Sequence, residues 1–591
     1  MDRLLSERLT VANWLTNKLN QETEMNQCKV SKCLPLRITC STAVACLALG
    51  GGVHDAQAFE LPLDPDWVVN WDNTVTYNLG VRAQGINPGI GNNPAFAESD
   101  YKFSHAGDVV TNRISDLSEF DAVWKDKYGF RVSASMFKDF AYGNGVNTNP
   151  GNFAPGVPYS SLFSYANNQY TSYTERYYQQ GIQLLDAFVF GKFDIGGHNT
   201  TIKLGQLTQF WGNALFFGAQ GINYSQNASD GIKGSSQPGS LTKELALPRL
   251  QVLISTQITP TFNLEGQYFL RSARNLLPEG GTYLGTAGFL FNGPQFLEGS
   301  IPRGSDVRPS NTNPNYGVKA SWSPEWLRGT IDAYYRRFDE VQPWAPLIGV
   351  DPASGATNYH LAYASDVHLF GLSLEKQIGD YSTGFEVSYR EHTALNSATG
   401  PLPGDLAGLQ GPRGNTINVI ANVIAGLTRT PLWQTGSLTA ELAGTHLTSI
   451  TSNGALYNGT GNPMGCPTGN KWDGCSTRNS VAVAALFDPT WLQVFPGVDI
   501  DMPLFVEYGL YGNTASLGTS VGQGGLIYTA GVHALVKNKY NVTLQYNGYH
   551  AHTNGGNTAV NGGAASFYTS GNGIYFYNDR GWVSLTLQMA F

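Results

Sequence analysis

From about residue 69 to the C-terminus the chain alternates apolar and polar residues with a period of two, the period of a β-strand with two unlike faces. The last segment shows it plainly. Val583, Leu585, Leu587, Met589 and Phe591 share one face, and Ser584, Thr586, Gln588 and Ala590 share the other. Tyr540, Val542, Leu544 and Tyr546 alternate with Asn541, Thr543, Gln545 and Asn547, and Tyr381 to Arg390 and Phe262 to Arg271 repeat the pattern. The first such segment, 69–82, sets Val69, Trp71, Val75, Tyr77, Leu79 and Val81 against Asn70, Asp72, Thr74, Thr76, Asn78 and Arg82. The alternation predicts strands near 69–82, 113–125, 128–140, 182–194, 200–208, 249–259, 261–271, 316–322 and 327–338. It predicts nine more near 366–377, 381–391, 415–427, 434–447, 479–488, 503–512, 526–536, 540–551 and 581–591.

The connections between these strands differ systematically in length. Tight turns at Asp126-Lys127, Asp194 to Asn199, Thr259-Pro260, Ser323 to Trp326, Gly379-Asp380, Thr428 to Trp433 and Lys537-Asn538-Lys539 each join an even strand to the next odd one. The odd-to-even connections are mostly long: 83–112, 141–181, 209–248, 272–315, 339–365, 392–414, 448–478 and 552–577. Outer-membrane barrels have short periplasmic turns and long outer loops, and a soluble two-sheet protein has no reason to sort its loops this way. The predicted fold is all-β: a transmembrane antiparallel barrel of about 18 strands (16–18), with both ends of the ring on the periplasmic side. The body of the chain has no run of about 18 apolar residues, so a helical membrane protein is excluded.

Composition agrees with a barrel. Charged residues make up 14%, well below the usual quarter or so, while 69 Gly, 30 Tyr and 29 Phe suit many turns and aromatic girdles. A formal net charge of −8 with no basic stripe argues against nucleic acid as a partner. Near the N-terminus Lys29, Lys32 and Arg37 precede an apolar run, Ile38 to Leu49, and the small-residue site Ala56-Gln57-Ala58. That is the order of a Sec signal peptide, 25–58, with a mature start at Phe59 and residues 1–24 an extension before a true start at Met25. Lipoprotein processing at Cys46 is the rival reading. Residues 59–591 then form a single barrel domain with no passenger. Of six cysteines, Cys466 and Cys475 remain after export, and such a close pair in an oxidising compartment predicts a disulfide in a long outer loop.

Several segments resemble the outer-membrane β-barrel family catalogued as domain of unknown function 1302. They are Trp71-Asp72-Asn73-Thr74, Asp186-Ala187-Phe188-Val189-Phe190-Gly191, Gly205-Gln206, Trp211-Gly212-Asn213, Gly221-Ile222-Asn223, and Pro496-Gly497-Val498-Asp499 with Pro503. The chain departs from the family pattern at Asn213, where an acidic residue is usual, and at Tyr224-Ser225, which replace Pro-Val-Asp. The resemblance implies a Gram-negative outer-membrane barrel linked to movement of hydrophobic compounds or lipids. It also implies association with a periplasmic lipid carrier and an inner-membrane exporter of the resistance–nodulation–division type. The terminal aromatic Phe591 resembles the signal that barrel-assembly machinery recognises.

Candidate chemistry is sparse. Inward faces carry Glu265, Arg271, Asp332, Arg336, Glu386, Arg390 and Glu441, with His446 near a strand end. Residues i and i+4 on one strand lie about 13 Å apart, so these charges form ladders along the wall. They are read either as selectivity or gating elements or as charge balance with neighbouring strands. Segment 209–248 opens with Phe210, Trp211, Gly212, Asn213, Ala214, Leu215, Phe216 and Phe217. Phe210, Trp211, Asn213, Phe216 and Phe217 are candidates for a lumen plug, a constriction or ligand contact; the plainer alternative is packing among surface loops. Loop 141–181 (Phe153, Tyr159, Phe163, Tyr165, Tyr170, Tyr173, Tyr177, Tyr178) and Phe289 to Phe291 add aromatics suited to an apolar ligand or to a loop core. No Gly-x-Ser-x-Gly motif follows the signal, and no catalytic residue, cofactor or metal is expected. The sequence therefore predicts an outer-membrane channel or transporter for small hydrophobic or amphiphilic molecules or lipids, in contact with outer-membrane lipid. The alternative is a non-transporting scaffold that docks the lipid carrier and exporter.

Overall fold

The computed structural model describes residues 59–60 and 64–591, apart from 288–291, 293, 298–299, 346, 351–354, 399–400, 406–409, 519–520, 555–557 and 560–565. The expected signal peptide and its preceding extension, Cys46, and Phe289 to Phe291 lie outside the described residues.

Eighteen strands form one closed antiparallel ring. They are β1 (Trp67–Arg82), β2 (Val109–Trp124), β3 (Tyr128–Asp139), β4 (Gln180–Ile195), β5 (His198–Leu207) and β6 (Arg249–Thr259). Next come β7 (Phe262–Phe269), β8 (Asn315–Trp322), β9 (Gly329–Phe338), β10 (Val367–Ile378), β11 (Tyr381–Ala394) and β12 (Arg413–Gly426). The ring ends with β13 (Thr435–Ser452), β14 (Asn479–Phe495), β15 (Val498–Asp501 and Leu504–Tyr511), β16 (Leu526–Val536), β17 (Tyr540–His550) and β18 (Trp582–Ala590). Each strand pairs with its sequence neighbours, and β18 returns to β1 in register from Thr74↔Ala590 to Arg82↔Trp582. Phe591 extends the seam, exchanging backbone hydrogen bonds of 2.8 and 2.9 Å with Asn73.

Turn chemistry fixes the short end. Gly196 and Gly197 sit at φ of +64° and +84° between Ile195 and its partner His198, a conformation in which a two-residue hairpin needs positive φ twice. One hairpin is longer than its sequence suggests. The predicted strands stop at 488 and start again at 503, whereas β14 runs to Phe495 and β15 begins at Val498. Pro489 and Pro503 look like strand ends, but each removes only one ladder donor and the pairing continues past them, with Pro489 opposite Gly436.

Burial is inverted relative to a soluble sheet. Ile182 is 72% exposed and Leu372 and Leu544 are each 54% exposed, while on the other face Glu386, Arg390 and Thr586 are buried. An exposed apolar band on a ring with no free edge is the surface of a membrane-spanning barrel. Trp67, Trp71, Trp322, Trp326, Tyr381 and Tyr540 stand exposed near the short-turn end, where an aromatic girdle meets the membrane interface. Two predicted inward positions are corrected. Arg271 lies beyond the end of β7 at Phe269 and is exposed, because the alternation runs on after the pairing has stopped. His446 is an odd number of residues from Glu441 and so falls on the opposite face, its Nδ1 2.6 Å from Asn479 Oδ1.

The long loops fold into a roof over the outer end. Its centre is the Arg82 guanidinium at the end of β1, 3.0 Å from Asp100 and 3.8 Å from Asp579, with Arg580 3.7 Å from Asp100. Four aromatics of loop 141–181 are buried in the core of this roof. Tyr159, Tyr165, Tyr170 and Tyr178 are buried, and the Tyr170 hydroxyl donates to the Gly281 carbonyl at 2.6 Å. Cys466 and Cys475 are joined in a disulfide within the loop between β13 and β14, with Cα atoms 5.9 Å apart.

A charge on the outer band separates a membrane barrel from a soluble one. Val387→Lys, at mid-strand on the apolar face, should destabilise the barrel in lipid by about 2–4 kcal/mol; denaturant unfolding in vesicles checks this, and an unchanged midpoint contradicts the assignment. Within the roof, burial raises the Glu98 carboxyl to about 8, opposed by the Ser164 N–H. The folded loop therefore favours the protonated acid, and its stability is full below about 4.5 and is lost as pH rises through about 8. Hydrogen exchange of the 97–101 amides across that window should show the decline, and Glu98→Gln should flatten it.

Candidate functional site

Inward-facing charges in a closed ring are removed from water, and a buried carboxylate or guanidinium is costly unless hydrogen-bonded. Most of the inward charges of β7, β9, β11 and β13 (Glu265, Arg336, Glu386, Arg390 and Glu441) find partners in a single segment, residues 209–248 between β5 and β6, here called the strap. Two carboxylates grip its N–H groups. Glu386 on β11 accepts from the backbone of Asn213, from Ala214 at 2.8 Å and, through its other oxygen, from Ile222 at 2.8 Å. Glu441 on β13 accepts from Leu215 at 2.6 Å, Phe216 at 2.9 Å and Phe217 at 2.7 Å. A third, Glu265 on β7, accepts from the Trp211 indole and, at 3.2 Å, from Gln209.

The strap's carbonyls are gripped by arginines. Arg336 on β9 donates from one nitrogen to Ile222 and Tyr224 O, both at 2.7 Å, and Arg390 on β11 donates to Gly221 O at 2.9 Å. Arg249, the first residue of β6, donates to Ser225 O at 3.2 Å and Gln226 O at 3.3 Å. Amides 213–217 thus converge on anions and carbonyls 221–226 on cations. Glu340, two residues past β9, closes the turn by accepting from the Tyr224 hydroxyl and from Thr393 Oγ1 at 2.8 Å; burial pushes its carboxyl up despite these donors.

Small wall residues admit the strap. A Cβ on Gly317 of β8 would lie 2.6 Å from the Trp211 ring, and one on Gly371 of β10 would lie 2.9 Å from Ile222. Trp211, Ile222 and Tyr224 pack with Tyr334, Phe338, Val367 and Leu369, while Ala214 and Phe217 pack with Ile420, Ala443, Ala482 and Ala484. Phe216 lies 5.4 Å from Phe505 of β15. Asn213 is tied on both sides, donating to Leu374 O at 3.1 Å and accepting at its carbonyl from Asn422 at 2.7 Å.

The second half of the strap reaches the opposite wall. A short helix, Gly231–Ser236, is capped by Asp230, which accepts from Ile232 at 3.1 Å and Lys233 at 2.9 Å. Pro238 O then accepts from Asn78 on β1 at 2.8 Å and from Thr586 on β18 at 3.3 Å, and Gly239 O from Gln588 at 3.3 Å. Lys243 pairs with Glu119 on β2, and Glu244 accepts from Ser135 on β3 at 3.0 Å. The strap therefore touches walls on both sides of the seam-to-β15 span and runs across the lumen.

Of the predicted wall residues, Glu265, Arg336, Glu386, Arg390 and Glu441 meet the strap. Asp332 faces inward but bonds the Tyr334 hydroxyl at 2.9 Å, and Arg271 contributes only its carbonyl, 3.4 Å from Arg249. Of the predicted strap residues, Trp211 and Phe217 are buried in wall contacts, and Phe210, Asn213 and Phe216 are half-buried. Sequence reasoning missed Arg249 and Glu340. Arg249 was legible as a charge at a strand start; Glu340 lies outside any alternating segment and gave no signal.

The model of the family described as "Protein of unknown function (DUF1302)" matches residues 39–591. No curated protein matches the sequence. Among solved structures, Acinetobacter baumannii OccAB1 aligns at 11% identity over 91% of this chain and 99% of that one, with a TM-score of 0.40. Pseudomonas aeruginosa OpdK with vanillate aligns at 11% identity over 88% and 98%, with a TM-score of 0.39. A BenF-like porin from Pseudomonas fluorescens aligns at 10% identity over 89% and 98%, with a TM-score of 0.37.

Glu441→Ala should free the N–H groups of Leu215, Phe216 and Phe217 without touching the outer band. A buried donor left unmet costs about 1–3 kcal/mol, so exchange of these three amides should speed up by roughly tenfold or more. Exchange at wild-type rates would show that Glu441 does not hold the strap.

Proposed function

The chain belongs to the DUF1302 family, and we propose that it is an outer-membrane channel whose passage is controlled by the strap, carrying small hydrophobic or amphiphilic molecules. The observation that carries this reading is the double clamp: carboxylates hold amides 213–217 and arginines hold carbonyls 221–226. Every one of these bonds is reversible and made to backbone, so the strap is displaced without unfolding the ring. The exposed apolar band and the aromatic girdle support a membrane location. The amphiphilic cargo follows from the family resemblance and from the mixture of charged and aromatic groups around the strap. The protein is not an enzyme on this reading, and Phe591, paired to Asn73 at the seam, serves barrel assembly.

A second reading has a specific observation behind it. The strap crosses from the β7–β15 wall to β1, β2, β3 and β18, as a permanent filling would. In that case the barrel is a scaffold for a periplasmic lipid carrier and an inner-membrane exporter.

Planar bilayers separate the two. The channel reading expects low conductance from the native protein and several-fold higher conductance from Glu386→Ala combined with Glu441→Ala. Silence from both, together with co-purification of a periplasmic carrier, overturns it in favour of the scaffold.

A further inference from the structure

Three of the wall arginines are more strongly basic a cluster than the strap requires. Arg249, Arg336 and Arg390 come from β6, β9 and β11 and are 3%, 1% and 0% exposed. They converge on the single turn Gly221 to Gln226. Among the described residues none of the three has a carboxylate within ion-pair distance. The acids in their neighbourhood are met by other donors: Asp339 by Asn313 and Asn315, Glu340 by Tyr224, Thr393 and the Ala394 N–H, and Glu386 by strap amides. Arg249 Nε, Arg336 Nη2, and Arg390 Nε and Nη1 are buried with no hydrogen-bond partner among the described residues. Carbonyl groups satisfy part of each guanidinium, and the acids of the neighbourhood stand beyond direct ion pairing, so no guanidinium has a carboxylate bonded to it among the described residues.

Each of these guanidinium groups also lies over an aromatic ring. Arg249 is 3.8 Å from the Phe269 centroid, Arg336 4.6 Å from Phe338 and Arg390 4.1 Å from Tyr224. Charge and apolar surface are thus interleaved, which suits a molecule with an anionic head and an apolar body. A carboxylate accepts two N–H bonds from one guanidinium in a planar fork, an arrangement stronger than a carbonyl makes.

We propose that Arg249, Arg336 and Arg390 form a binding site for the carboxylate head of an anionic amphiphile, which displaces the carbonyls of the 221–226 turn. The proposal rests on the channel reading and narrows its cargo from amphiphiles in general to carboxylate-bearing ones. Arrival of the head group exchanges strap carbonyls for a charged acceptor, so binding and release of the strap are one event. The wall rings of Phe269 and Phe338 then flank the apolar body.

The test is calorimetric titration of the full-length protein in non-ionic detergent with phenylbutyrate, its neutral amide and acetate. The native protein should bind phenylbutyrate about tenfold or more tightly than phenylbutyramide, the difference expected for a charge-assisted bond, and acetate more weakly than phenylbutyrate. Arg390→Gln and Arg249→Gln should each abolish the preference for acid over amide. Arg337→Gln, the neighbour of Arg336 on the opposite face of β9, should keep it. The ratio of acid to amide is the readout because a merely loosened strap changes both affinities alike. Equal affinity for acid and amide, a preference that survives both arginine variants, or acetate binding as tightly as phenylbutyrate overturns the proposal. Binding with the expected preference in a protein that passes no bilayer current overturns the channel reading and leaves the site standing.

Discussion

Lipid offers a backbone no hydrogen-bond partner, and that constraint organises this protein from its first strand to its last. A sheet in a membrane has to spend every interior N–H and C=O on another strand, so eighteen strands close on themselves and β1 pairs with β18. Closure leaves no edge, and it sorts side chains into two populations with opposite environments. The apolar half of each strand faces outward; the polar half is confined with the polar halves of seventeen others.

Confinement creates the next problem and explains its answer. A wall carboxylate or guanidinium in a crowded lumen loses water and has to be met by protein. A strap of backbone is an efficient partner, because it offers donors and acceptors in alternation and no net charge. Glu386 and Glu441 take its amides, and Arg336, Arg390 and Arg249 take its carbonyls. Each bond contributes modestly, since it replaces a bond to water, but leaving any of these groups unmet costs more than forming the bond gains. The strap is therefore held firmly as a set and weakly bond by bond, which is the energetic profile of an element that is ordered at rest and displaceable by a better ligand. The roof repeats the logic around Arg82, Asp100 and Asp579, where ions at the β1–β18 seam tie separate outer loops together.

Strands and turns were legible in the sequence because their causes are local. Side-chain direction alternates with every residue, and Gly196-Gly197 or Lys537-Asn538-Lys539 announce reversals within a few positions. The misreadings have local causes too. The predicted strands stopped at 488 and resumed at 503 where pairing runs on to Phe495 and restarts at Val498, the alternation ran past the end of β7 to Arg271, and His446 fell on the outer face, an odd number of residues from Glu441. Cys466 and Cys475 were matched correctly because the two are close in sequence and in the same loop.

By itself the sequence determined the ring: strand number, the two faces of every strand, the short and long ends, and the presence of inward charges near an aromatic-rich segment. Only the tertiary structure decided what those charges do. Glu441 meets Leu215 across 226 positions of chain, and Asn78 meets Pro238 across 160. No periodicity encodes such a pairing, because it depends on which walls face one another once the ring has closed and on where Gly317 and Gly371 leave room inside it. A strand's faces follow from the residue beside it; a lumen's contents follow from the whole circumference.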